Sequence, residues 1–211
     1  MAFLHHDRQA DIAKLEQLPV PLRVAFALLV ASRMFPAYEQ LHQHTGQGDP
    51  ATVAGLVDRL WQDVQGDPMR DEELDSVLAG FEELIPFDEL GLGGEIRSTA
   101  EEAASAVGYA LRTRQSGEAQ EASWAGACAF DTLYGRVVDV RGKLLRRPED
   151  ELDFEEDPAI QAELARQQRD LDDLARLAAT APPLTELRSQ LAELRARSSA
   201  ESAAFLVPEA P

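Results

Sequence analysis

The residues best suited to chemistry lie together in one stretch, residues 33–61, which holds two of the four histidines in the chain. Within it, Glu39 and His42 are three residues apart, so on a helix their side chains share one face. We define the candidate functional cluster as the polar residues of this stretch that can supply metal ligands or charge: Arg33, Tyr38, Glu39, His42, His44, Asp49 and Asp58. We expect these side chains to converge where three helices meet.

A metal centre is one interpretation of this stretch, with Glu39, His42 and His44 as the candidate ligands. The Glu-x-x-His spacing occurs in di-iron helical bundles, but those sites use two such motifs and this sequence has only one. Because His42 and His44 diverge on a helix, a metal site would combine one of them with Asp49 or Asp58. The competing interpretation is two solvated histidines beside a loop, and on that basis no cofactor is predicted.

The other motifs that resemble catalytic signals point to structural roles. Cys128 lies within the helical run AGACAF, where a cysteine behaves as a small buried hydrophobic residue. The sequence contains neither a G-x-S-x-G nucleophile motif nor a G-x-x-x-x-G-K phosphate loop. No strand precedes the glycine-rich residues 90–94, so we interpret them as a turn. The absence of a complete catalytic set argues against an enzyme.

The net charge of the chain limits the classes of partner that it is expected to bind. Acidic residues number 38 and basic residues 20, which gives a formal net charge of −18. Residues 158–211 carry eight acids and six bases, so the remaining −16 lies in residues 1–157. Binding to nucleic acid requires a basic stripe, and binding to a membrane surface requires basic clusters. We therefore expect neither nucleic acid nor a membrane as a partner.

The compartment follows from three further features of the sequence. The single cysteine excludes an intramolecular disulfide. The first 18 residues lack the basic and then apolar segments of a secretory signal. The longest strictly apolar run is residues 24–31, far short of the roughly 20 residues that span a bilayer. These features predict a cytoplasmic protein.

The elements that position the candidate residues are all predicted to be helices. Hydrophobic residues recur at helical spacing, and no stretch alternates with the period of a strand. The sequence predicts an all-α bundle of about seven to nine helices in one domain, residues 1–211. Residues 22–35 are apolar on nearly every side, which is typical of a central helix. We expect Pro36 to end that helix and a short polar helix to follow over residues 37–44.

Caps mark several other helix boundaries. Asp49-Pro50 and Asp157-Pro158 each place an N-cap residue before a proline suited to the first helical turn. Ser98 and Glu101 have the spacing of a capping box, which predicts a helix that begins there and runs to residue 114. Gly46 and Gly48 are candidates for the C-cap that precedes Asp49.

The C-terminal part of the chain is predicted to be a helical hairpin, residues 158–200, joined by an acidic linker. The linker, residues 149–157, has seven acids in nine residues and is expected to be solvated. Ala181-Pro182-Pro183 supplies the turn between two helices that each carry a leucine stripe. The two stripes are expected to pack on each other or on a second copy, and the second arrangement would make a homodimer.

Five short motifs resemble the YjaG-like family of uncharacterised bacterial proteins. They are RMFPxY from Arg33, TGxGD from Thr45, LVDxLW from Leu56, FEExIP from Phe81 and DPA from Asp157. The resemblance extends from about residue 15 to residue 200. It implies an all-helical cytoplasmic protein, and because the family is uncharacterised it assigns neither a reaction nor catalytic residues. The chain departs from the family pattern at residues 90–102, which are glycine-rich and then strongly polar.

Three functional hypotheses follow, in decreasing order of support. The first is a bacterial, non-enzymatic protein-interaction or regulatory module whose partner is unknown. The second is a metal-dependent helical enzyme that uses His, Glu or Asp side chains from residues 39–58. The third is an acidic protein that mimics nucleic acid and occupies a nucleic-acid-binding partner.

Overall fold

The structure is a computed structural model that describes residues 4–86, 94–142 and 154–207. These residues form eight α-helices and no strands, which confirms the predicted all-α class. The helices are α1 (Arg8–Glu16), α2 (Val20–Thr45), α3 (Pro50–Val64), α4 (Asp71–Phe81), α5 (Gly94–Ser116), α6 (Ala119–Gly142), α7 (Pro158–Thr180) and α8 (Leu184–Ala200). Short 3-10 helices follow at Glu82–Leu84, Phe154–Glu156 and Ser202–Phe205.

Helix α2 is the centre of the bundle, as its apolar sequence predicts. It contacts α3, α5, α6, α7 and α8. Its length and composition alone would allow it to cross a membrane, since one 18-residue window has a mean hydropathy of 1.4. In this structure 72% of that window is buried against the surrounding helices, which is the environment of a core helix.

The prediction that Pro36 ends this helix is wrong. Helix α2 continues through Pro36 to Thr45, and its total length is 26 residues. Proline inside a helix removes one hydrogen bond and costs about 3 kcal/mol. The half of α2 after Pro36 buries Ala37, Tyr38 and Leu41 in the same core as the half before it. This burial offsets the cost of the proline. Helix α2 ends at a left-handed C-cap, Gly46 with φ 71°, as predicted.

Two of the three predicted helix starts are confirmed. An Oδ1 atom accepts the capping hydrogen bond at each: Asp49 from Thr52 N at 3.0 Å, and Asp157 from Ala159 N at 2.9 Å. The predicted start of α5 at Ser98 is wrong, because the helix begins four residues earlier at Gly94. Ser98 already lies within the helix, where its hydroxyl donates to the Glu95 carbonyl at 3.2 Å.

Helices α7 and α8 form the predicted C-terminal hairpin, with Ala181 as a left-handed C-cap at φ 43°. The leucine stripes are largely buried within the chain, because α8 packs on α2 and α7 packs on α2 and α6. The buried members are Leu164, Leu171, Leu174, Leu177, Leu191 and Leu194, whereas Leu184 is exposed. The stripes therefore complete the core of one chain and do not in themselves argue for a second copy.

Only the end of the acidic run at residues 149–157 lies within the described residues, and residues 149–153 lie outside them. The described end is structured. Phe154 packs edge-on against Tyr134 of α6, with the ring centroids 5.9 Å apart, and Asp157 caps α7. The glycine-rich turn was predicted at residues 90–94, and residues 90–93 of it lie outside the described residues.

Candidate functional site

The structure distributes the seven residues of the candidate functional cluster over several places. Arg33 is fully buried where α2 meets the C-terminal hairpin. Tyr38, His42 and Asp49 lie around the loop between α2 and α3. Because a helix rises 1.5 Å per residue, the continuous α2 separates Arg33 from His44 by about 16 Å along its axis. The expected convergence on one point is therefore not seen.

Tyr38 holds the loop between α2 and α3 in place through hydrogen bonds. The Tyr38 hydroxyl donates to the Leu84 carbonyl at 2.6 Å and accepts from the Asp49 backbone N–H at 3.1 Å. Gly48 packs directly on this hydroxyl. His42 Nδ1 lies 3.1 Å from the Gln47 carbonyl and 3.2 Å from that of Gly48. These contacts join the loop to the end of the α4 segment and give the tyrosine and the histidine structural roles.

The remaining members of the cluster also have local contacts. The side chain and backbone of Thr52 both donate to the Asp49 carboxylate, and these hydrogen bonds lower the pKa of Asp49. His44 Nδ1 lies 2.7 Å from the Gln40 carbonyl one helical turn earlier. Asp58 forms an ion pair with Arg195 of α8.

The candidate metal ligands lie on one helix and differ in exposure. Glu39 is half-buried on α2, whereas His42 and His44 are exposed near its end. Within residues 4–86, 94–142 and 154–207, no three His, Cys, Asp or Glu side chains are grouped so that they could hold a metal ion. The candidate ligands Glu39, His42 and His44 are accordingly not assembled into a centre.

A buried network of charges surrounds Arg33, and the sequence did not reveal most of its members. The guanidinium donates from Nη1 to Asp170 Oδ2 at 2.6 Å and to Ser198 Oγ at 3.2 Å, and from Nη2 to Glu163 Oε1 at 2.9 Å. The side chain of Arg33 is 0% exposed and those of Glu163 and Asp170 are each 1% exposed. Burial opposes the charged guanidinium, but the two carboxylates outweigh it and raise the pKa of Arg33.

The network extends across four helices. Arg197 of α8 donates to Asp170 Oδ1 at 2.8 Å. Gln167 of α7 donates both to Glu163 Oε1 at 3.1 Å and to the Gly126 carbonyl of α6 at 3.0 Å. The buried part of the network is closed to solvent, so we interpret it as the element that fixes the hairpin on α2. At its edge, Arg166 lies 3.5 Å from Glu163 and Asp173 lies 2.7 Å from Arg197, so three arginines face three carboxylates.

A groove of 540 Å³ between α5 and α6 contains a second group of polar side chains. Glu102 lines this groove beside the buried thiol of Cys128. Burial raises the pKa of the Glu102 carboxyl, although its hydrogen bond with Cys128 opposes that rise. Burial, and then the charge of Glu102, raise the pKa of the Cys128 thiol. Cys128 is 4% exposed within the hydrophobic core, which confirms the prediction that it is a buried residue.

Cys128 is expected to react with an aromatic disulfide reagent at least about tenfold more slowly in the folded chain than in urea. The thiolate is the reactive form, and the fold both disfavours it and covers it. Absorbance of the released thiol at pH 8 measures the rate. Equal rates in the two conditions would show an accessible, activated cysteine and would return it to the list of candidate nucleophiles.

Comparison with known proteins identified a matching family model and a solved structure of similar fold. A family model described as "Protein of unknown function (DUF416)" matches residues 12–196. The crystal structure of a DUF416 family protein from Shewanella baltica OS155 matches with a TM-score of 0.72 at 20% sequence identity. The match covers 89% of this chain and 93% of that one, and at this identity it shows a shared fold alone. No curated protein matches.

Proposed function

Because the chain belongs to the DUF416 family, whose function is unknown, we propose a role from its own surface. It is a non-enzymatic protein-interaction module that binds a basic surface of a partner protein. The binding surface, here called the acidic face, consists of the exposed acidic residues in and beside α4: Asp67, Asp71, Glu72, Asp75, Glu82 and Glu83.

The charge density of the acidic face is the observation that carries this proposal. Residues 67–83 contain seven acids and a single base, Arg70. Leu74 and Phe81 anchor the inner side of α4 in the core, so the helix holds its outer carboxylates in fixed positions. Glu73 is paired with Arg59 at 3.0 Å, and Asp75 accepts from Gln115 at 3.0 Å.

Such an arrangement favours a basic partner. Asp71 and Asp75 lie four residues apart on the helix, where like charges repel one another by a few tenths of a kcal/mol. A one-signed surface also produces a field that attracts and orients a partner of opposite charge. The helix is about 16 Å long, so the face matches a patch on a protein surface in size.

Nucleic-acid mimicry is a more specific form of the same proposal. In that case the basic surface of the partner would be one that ordinarily binds phosphates. The support is again the acidity of residues 67–83. The bacterial cytoplasmic setting and the finer YjaG-like assignment also belong to the proposal, and they are supported by the five motifs that begin at Arg33. A homodimer stays a prediction.

Neutralising the acidic face is expected to reduce partner binding at least about tenfold, because the attraction depends on these charges. The test variant carries four substitutions on the face: Asp71→Asn, Glu72→Gln, Asp75→Asn and Glu82→Gln. The matched control also removes four negative charges, but from exposed acids outside the face: Glu156→Gln, Asp172→Asn, Glu186→Gln and Glu193→Gln. Proteins retained from the native host's lysate are quantified by mass spectrometry for the wild-type chain and both variants.

The same experiment separates the general proposal from nucleic-acid mimicry. Retention should fall as salt rises from about 50 to 300 mM, because the Debye length shortens. Under mimicry, added double-stranded DNA should displace the retained proteins. Equal retention by the wild-type chain and both variants would contradict the acidic face as the binding surface.

A further inference from the structure

The last described segment of the chain, Ser202–Val207, packs on α2 and α8 and is bound by a side chain of α6. We call this segment the tail, and we call the surface that it covers the tail site. The tail begins directly after Glu201, the C-cap of α8, as the 3-10 helix Ser202–Phe205, which packs on α2. Two side chains of the bundle bind it, Gln40 from α2 and Arg136 from α6. Neither Gln40 nor Arg136 belongs to the acidic face.

Both side chains bind the backbone of the tail. The Gln40 amide donates to the Val207 carbonyl at 2.7 Å and accepts from the Val207 N–H at 3.0 Å. It therefore pairs with one residue as a neighbouring β-strand would. Arg136 donates to the Ala204 carbonyl at 2.6 Å and to the Phe205 carbonyl at 3.4 Å. None of these hydrogen bonds depends on which side chains the tail carries.

One side chain of the tail is deeply buried. Phe205 is 0% exposed and belongs to the hydrophobic core, whereas Ala203 and Leu206 on either side are exposed. Ser202, Ala204 and Val207 are half-buried. The tail site thus binds one aromatic side chain and the backbone donors and acceptors of the tail. Grooves that recognise short peptide segments of other proteins use the same kinds of contact.

We propose that the tail site is a peptide-binding site that the chain's own tail occupies, and that it accepts a partner segment of the same chemistry. The partner segment carries an aromatic anchor and, two residues later, a backbone N–H and C=O free to pair with Gln40. The tail acts as a built-in competitor, because a short segment outside the eight described α-helices can open locally while those helices stay folded. The partner binds when the tail opens.

The test measures binding of a fluorescent peptide, residues 199–208 of this sequence, to the full chain by anisotropy. The wild-type chain should bind weakly, because apparent affinity falls with the fraction of open sites. The chain with Phe205→Ala loses its competing anchor and should bind the peptide about tenfold or more tightly. The same peptide with Phe205→Ala should bind neither chain.

A second substitution locates the binding in the tail site. Adding Gln40→Ala to the Phe205→Ala chain should weaken peptide binding about tenfold, because two hydrogen bonds are lost. The matched control is Gln161→Ala, since the Gln161 amide pairs in the same way with the backbone of Leu4 at 2.8 and 2.6 Å. This control should leave the affinity unchanged. Equal effects of the two substitutions would overturn the assignment.

Another variant keeps the test valid if Phe205→Ala prevents folding. Val207→Pro removes the N–H that donates to Gln40 at a half-buried position, and Leu206 already has the extended backbone that precedes a proline readily. It should also tighten peptide binding. Absence of binding to every folded variant would overturn the proposal. A concentration-dependent dimer of the wild-type chain that Phe205→Ala abolishes would overturn it in favour of tail exchange between two copies.

Discussion

Replacing Arg33 with methionine is expected to lower the free energy of unfolding by about 3–5 kcal/mol. The guanidinium lies 2.9 Å from Glu163 and 2.6 Å from Asp170, and all three side chains are almost completely buried. Removing the cation leaves two carboxylates in the core with their main countercharge gone. Urea unfolding at pH 7, followed by circular dichroism, measures the change.

Two further variants show whether burial and pairing cause this loss. Arg59→Met removes a cation that is 24% exposed and lies 3.0 Å from Glu73, and it should cost less than about 1 kcal/mol. The triple variant Arg33→Met, Glu163→Leu and Asp170→Leu removes the three buried charges together, while Arg197 keeps Asp173 as a partner at 2.7 Å. It should recover most of the stability. A cost for Arg33→Met no larger than that for Arg59→Met would contradict the interpretation.

The same network predicts which part of the chain opens first when Arg33 is lost. Glu163 and Asp170 lie on α7 and Ser198 on α8, so Arg33 holds both helices of the hairpin to α2. Amide hydrogen exchange in the Arg33→Met variant should therefore increase most in α7 and α8. This would separate the hairpin from the rest of the bundle as a unit of local unfolding.

Most of the fold could be predicted from the sequence because its signals are local. A cap at Asp49 or Asp157 acts within three residues, and a helical stripe requires only its own segment. Pro36 shows where local reasoning ends. The cost of a proline inside a helix can be judged from the local sequence. The burial of Tyr38 and Leu41, which offsets this cost, depends on helices elsewhere in the chain.

The candidate site was harder to predict, since its contacts join distant parts of the sequence. Arg33 was recognised as a candidate, yet its partners Glu163 and Asp170 lie 130 and 137 residues away. One signal was nevertheless present. An arginine in an otherwise apolar helix requires buried acceptors, and Glu163, Gln167 and Asp170 interrupt the apolar face of α7 at helical spacing.

Substituting Gly48 with alanine is expected to lower the free energy of unfolding by about 2–5 kcal/mol. Gly48 has φ 77°, where an L-residue is strained by roughly 1–2 kcal/mol. An added Cβ would also lie 2.7 Å from the Tyr38 hydroxyl. That contact forces the hydroxyl away from Leu84 and Asp49, and each lost hydrogen bond costs about 0.5–1.5 kcal/mol.

Two other glycines separate these contributions when they are measured in the same thermal or urea unfolding series. Gly46 has φ 71° but open space around an added Cβ, so Gly46→Ala should show the backbone strain alone, about 1–2 kcal/mol. Gly55 lies within α3, also with open space, and Gly55→Ala should stabilise the chain by about 0.5–1 kcal/mol. In a double-mutant cycle, Tyr38→Phe should reduce the cost of Gly48→Ala, because the hydroxyl that the methyl group displaces is absent. Equal costs at Gly46 and Gly48 would show that backbone strain, and not the packing of Gly48 on Tyr38, explains the glycine.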